Sequence, residues 1–194
     1  MPPQTPYSKD LGDREPIAAM RATGDRYRQL AGGWTPAQFE RTYAPGKWTA
    51  RQILIHLAQT ELALGNRARM ALSTPNYVAQ AFNQDDWMAI ESRGSSRSGG
   101  SGLPADLSAE APSAKAEARS AKVGGLSGAE AVDAFLALVT MNRAFFDGLS
   151  AAERATTLSH PEYGALTVDW ILHQLAGHQI HHLAQVEQIG GQVG

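Results

Sequence analysis

The chain has 194 residues, 43% of them hydrophobic, which suits one well-buried core and is too short for two comfortable domains. Its 17 Lys and Arg against 19 Asp and Glu leave a net charge of -2, so no basic field is available to attract nucleic acid or anionic lipid. The absence of cysteine excludes a disulfide framework, a zinc ribbon and a protein thiol nucleophile, and any metal site must therefore draw on His, Asp or Glu.

No apolar run approaches the roughly 20 residues of a membrane span, and the opening MPPQTPYSKDLGDREP lacks the apolar core of a secretory signal. The expected location is the cytoplasm. The first predicted helix lies in DREPIAAMRATGDRYRQLAGG, with Asp13 as N-cap, Pro16 in the first turn and a Gly-Gly stop. A short helical turn follows at Thr35-Pro36, then the Pro45-Gly46 turn. Thr49 then caps a second long helix running to about Leu72. The FNQDDW segment, with Asp85, Asp86 and Trp87, has no pattern that places it. The third long helix opens on a capping box, Ser127 with Glu130, and stops near Gly148. Thr167 caps the fourth, VDWILHQLAGHQIHHLAQVEQI, which Gly190-Gly191 ends.

Between the second and third helices, residues 92–125 are built from Ser, Gly, Ala and charged residues with little to bury, and read as a flexible, low-complexity insertion. No segment alternates with period two for long enough to be a strand. The expectation is an all-α fold, a four-helix bundle with a long crossover between helices two and three, in a single domain spanning 1–194.

Three of the six histidines crowd into GHQIHH in the fourth helix. At about 100° per residue from Trp170, His178 and His182 fall near 80° and 120°, bracketing Ile171 and Ile189. His181, near 20°, shares its direction with Gln174 and Gln188, and His173, near 300°, reads as a surface or interface residue. Two imidazoles one turn apart on an apolar face each bring a donor and an acceptor that burial penalises unless satisfied. The spacing puts ring nitrogens on one cation, as in HExxH zinc sites, although Gln179 replaces the Glu; water and amide partners are the alternative. His56 faces the apolar side of the second helix in RQILIHLAQTE and is the remaining inward histidine of the long helices. Trp48 reads as a plug at the bundle end, and Tyr27, Phe135 and Phe145 as core.

PGKWTARQILIHLAQTE and HPEYGALTVDWILHQLAGHQIHHLAQVEQI, including Arg67 a turn beyond the first, closely resemble the two signature regions of the DinB-like (YfiT-like) four-helix-bundle family. The resemblance covers the chain to about residue 91 and again from about 127; Gln59 stands where the family often carries an acid. It implies a divalent metal on His56, His178 and His182, and members that are hydrolases or thiol-dependent transferases and often pair as homodimers.

Three neutral nitrogen ligands leave a position open for water or substrate. A bound ion would then generate a nucleophile from water or from a low-molecular-weight thiol of the small-molecule substrate pair. Zinc or nickel is favoured, with iron and manganese also compatible with imidazole. Thr60 and Gln185 are candidates to orient ring nitrogens or water, Glu61 is a candidate general base or an ion-pair partner, and His160 a residue of the pocket mouth. A non-catalytic metal or ligand carrier, or a dimeric interaction bundle with water-satisfied histidines, is the alternative reading.

Overall fold

The computed structural model describes residues 2–81, 83–93 and 125–191. Most of the predicted 92–125 insertion lies outside the described residues. Those before residue 83 and from 127 onward form one compact unit, and those between form another.

The first unit is a four-helix bundle with short additions. Its helices are α1 (Ser8–Leu11), α2 (Pro16–Ala31), α3 (Pro36–Phe39) and α4 (Ala50–Ser73), then, after the intervening unit's α5 (Gln84–Arg93), α6 (Gly128–Asp147), α7 (Ala151–Arg154) and α8 (Val168–Gly190). Helix α2 packs chiefly on α6 and α8, and α4 on the same two, so the consecutive long helices α2 and α4 sit across a diagonal of the bundle. The shared core is built from Met20, Tyr27, Ile53, Leu57, Phe135 and Leu175, all fully buried. No helix of the described residues is long and apolar enough to cross a membrane.

Helix starts follow local chemistry. The Thr49 and Thr167 caps and the Ser127 capping box form as expected, each hydroxyl accepting a backbone N–H from the first turn. Helix α2 is the exception, because Glu15, not Asp13, is its cap: the Glu15 carboxylate accepts from Ile17 N and Ala18 N while Pro16 occupies the first helical position, where no N–H is needed.

Four features depart from the sequence expectation. A two-stranded antiparallel hairpin, β1 (Thr157–His160) and β2 (Gly164–Thr167), precedes α8, closed by a three-residue loop with Gly164 at φ 71°. The loop after α4 extends this hairpin, Ala79 N–H donating to Ser159 O at 2.8 Å and Ser159 N–H to Tyr77 O at 3.0 Å. FNQDDW contributes to α5, with Asn83 Oδ1 accepting from Asp85 N and Asp86 N. Near the end of α6 the core aromatic beside Phe135 is Phe146; Phe145 is half-buried under the Arg69 guanidinium, 4.2 Å above its ring.

Candidate metal centre

Helix α4 presents His56 and helix α8 presents His178 and His182 to the same point of the bundle, and all three side chains are buried. The His56 and His178 Nε2 atoms are 3.0 Å apart. Ring centroids lie 4.9 Å (56 to 178), 5.1 Å (56 to 182) and 4.5 Å (178 to 182) apart, the rings nearly perpendicular. One nitrogen from each falls within 4.8 Å of the others, which suits three ligands of one ion.

The electrostatics suit the same purpose. Burial, then the neighbouring His182, lowers the pKa of His56 to about 3; burial lowers that of His182 to about 4, outweighing the Gln185 hydrogen bond that raises it, with His181 adding a lesser lowering effect. Burial, then His182 and His56, drives His178 well below the ordinary value. Three neutral imidazoles at neutral pH carry three lone pairs, one of which accepts the ring-to-ring hydrogen bond between the His56 and His178 Nε2 atoms.

Around the ligands, the chain fixes ring orientation. The His182 Nδ1–H donates to Gln185 Oε1 at 2.8 Å, which leaves Nε2 free; the Gln185 amide N–H reaches His181 Nε2 at 3.4 Å, and His181 Nδ1 lies 3.4 Å from Asp10 Oδ1. The Trp48 ring lies 4.9 Å from that of His56, so this residue covers a site histidine rather than merely plugging the bundle end. His56 Nδ1, both amide atoms of Gln59 and Thr60 Oγ1 are buried with no hydrogen-bond partner among the described residues. Thr60 is therefore not the orienting partner of His56. The donor set itself, one nitrogen from each of three buried imidazoles within 4.8 Å of the others, fits a divalent metal.

Glu61 goes elsewhere. Its side chain is 1% exposed and accepts from Gln179 Nε2 at 2.6 Å and Asn142 Nδ2 at 2.7 Å; Asn142 Oδ1 in turn accepts from Arg69 at 2.8 Å. Neutral amides replace the ion-pair partner expected from sequence. Burial, outweighing these two hydrogen bonds, raises its pKa to about 7. His173 is half-buried, its Nδ1 2.9 Å from Asp169 O, and does not join the cluster.

Sequence reasoning missed three contributors. Tyr7, just before α1, lays its ring 5.0 Å from that of His178 and 5.1 Å from that of His181. Gly177 makes this approach feasible, since a Cβ there would lie 2.6 Å from Tyr7 O. Asn142 and Gln179 had a legible signal: Asn142 lies seven residues after Phe135 and four before Phe146, on the core stripe of α6, and Gln179 falls near 180° on the α8 wheel, among its leucines.

The sequence model of the DinB superfamily matches residues 19–186. A protein of Oceanobacillus iheyensis named "putative metal-dependent hydrolase" is 23% identical over 152 residues, covering 78% of this chain and 70% of its own. A second protein of that organism with the same description is 32% identical over 50 residues, 26% of this chain and 29% of its own. The solved structure of YfiT from Bacillus subtilis, described as a probable metal-dependent hydrolase with an unusual four-helix bundle topology, superposes with a TM-score of 0.68 at 16% identity, over 99% of this chain and 91% of that one. With the family's sequence model spanning most of its length, the chain belongs to the DinB superfamily.

Proposed function

We propose that the protein is a divalent-metal-dependent hydrolase of a small molecule, with His56, His178 and His182 as metal ligands. The observation that carries this reading is the clustering of three buried, neutral imidazoles with ligand nitrogens within 4.8 Å of one another. The names of the Oceanobacillus relatives support it. Zinc is the favoured ion, because it takes three protein nitrogens plus one open position readily and needs no redox partner. When bound, such an ion supplies a Lewis acid that polarises a substrate oxygen and lowers the pKa of water towards roughly 7.

The chain's own residues do the rest. Gln185 holds the His182 ring by its Nδ1–H so that Nε2 is the free ligand atom. Trp48 and Tyr7 cover the rings of His56 and His178 and keep bulk water from them. The unpartnered amide of Gln59 can both donate and accept, so it suits a water or a substrate carbonyl where an acid would suit only a donor. Glu61, enclosed by Asn142 and Gln179, holds Gln179 next to His178 and acts as a positioning residue, not as the base.

The test is hydrolysis of p-nitrophenyl acetate by zinc-loaded protein. Chelation is expected to abolish turnover, readdition of zinc to restore it, and the His56→Ala variant to resist restoration. Turnover unchanged by chelation and by His56→Ala would overturn the reading.

A further inference from the structure

We propose that Arg67 and His160 form a carboxylate-binding subsite at the outer end of the histidine site, which makes an organic carboxylate the substrate class. The reading of that ligand as a substrate rests on the hydrolytic function proposed above; the subsite itself does not.

Arg67 is half-buried on α4, and its one hydrogen bond among the described residues runs from Nη2 to Gln80 O at 2.5 Å. A guanidinium has five N–H donors, so a single carbonyl partner leaves Arg67 with donors available to a ligand. Its pKa is lowered by that burial, against the opposing charges of Tyr77, Glu162 and Tyr163. Exposed Glu162 thus acts on the charge from nearby but makes no ion pair with it.

Backbone pairing brings His160 to the same place. Gln80 follows Ala79, whose N–H donates to Ser159 O, so the Arg67 anchor and His160 lie on adjacent paired segments. His160 is 5% exposed, and its Nδ1 accepts the Glu162 backbone N–H at 3.2 Å. Burial, then Arg67, lowers its pKa and keeps the ring neutral, so Nε2 carries the proton and is a second donor. No protein acceptor for it is found among the described residues. The Tyr163 ring lies 5.1 Å from that of His160 and 5.5 Å from that of Trp170.

The ligand's charge follows. A guanidinium fork matches a planar carboxylate through two parallel hydrogen bonds. Nearby Glu162 offsets the Arg67 charge, so a dianion such as phosphate meets repulsion that a monoanion largely escapes. On α4, His56 and Arg67 lie within about 20° of one direction, and their eleven-residue separation amounts to roughly 16 Å of helix. The arginine side chain leans back towards the helix N-terminus, so the carboxylate and the bond to be cleaved would lie on the order of 10 Å apart.

Butyrate, a monocarboxylate, titrated into metal-free protein and followed by the His160 ring resonances, tests the subsite. A saturable shift is expected, with affinity about tenfold weaker in Arg67→Gln and also reduced in Arg67→Lys, which keeps the charge but loses the fork. Glu162→Gln should tighten binding, an effect that a merely structural role for Arg67 would not produce. Absence of a saturable shift in the wild type, or unchanged affinity in both folded Arg67 variants, would overturn the proposal. Butyrate binding without metal binding would remove the hydrolase and leave the subsite; metal binding without butyrate binding would do the reverse.

Discussion

Which nitrogen of a candidate ligand histidine holds a proton is decided by its hydrogen-bond partner, where it has one. Gln185 is the clearest case, since its oxygen can only accept, which assigns the His182 proton to Nδ1. Gln185→Ala is expected to weaken zinc affinity about 10- to 100-fold, read by competition with a chromophoric chelator, with little change in fold. Unchanged affinity would show that the ring is held by packing alone. The three histidines were legible in the sequence because rotation of about 100° per residue reports direction without knowledge of any partner. The partners of Glu61 were not, because Asn142 and Gln179 come from two other helices and only the bundle's packing decides which polar side chains meet.

At the scale of elements, the long helices carry their own punctuation, and Thr49, Ser127 and Thr167 mark their starts in sequence and structure alike. Short elements escape notice because they borrow stability from neighbours. Helix α1 has four residues and buries only Leu11, yet its preceding Tyr7 reaches the site, and the segment is tied to α8 by the Trp170 Nε1–H bond to Gln4 O at 2.8 Å. Strands β1 and β2, four residues each, pair only because Gly164 allows the turn. Gly177→Ala tests the docking of the N-terminal segment. The added methyl overpacks against Tyr7 at a cost of roughly 1–3 kcal/mol, while helix propensity returns at most about 1 kcal/mol. A lower thermal midpoint is expected; a higher one would mean that the segment does not dock on α8.

For the molecule as a whole, the diagonal placement of α2 and α4 brings His56 opposite the α8 pair, and helix patterns alone do not specify such an arrangement. Concentrating buried titratable groups there makes stability depend on pH in two opposed ways. The histidines, lowered to about 3 and 4 in the folded state, take up protons on unfolding, so their contribution is present above pH 6.5 and lost as pH falls towards those values. Glu61 has the opposite sign. Raised to about 7, it keeps its proton in the folded state, and its contribution is present below pH 4.5 and lost as pH rises through 7. Between pH 4.5 and about 7 the two effects therefore oppose each other in metal-free protein, and Glu61→Gln should make stability rise more steeply with pH across that window while leaving the acid decline in place. Identical pH profiles of the two thermal midpoints would refute this assignment. The most direct measurement is the metal content of purified, untagged protein beside a His178→Ala/His182→Ala variant. About one equivalent of a divalent first-row metal in the wild type, lost in the variant, is expected from a three-histidine site. No metal in the wild type, even after incubation with zinc and nickel, or equal content in both proteins, would contradict a metal centre at His56, His178 and His182.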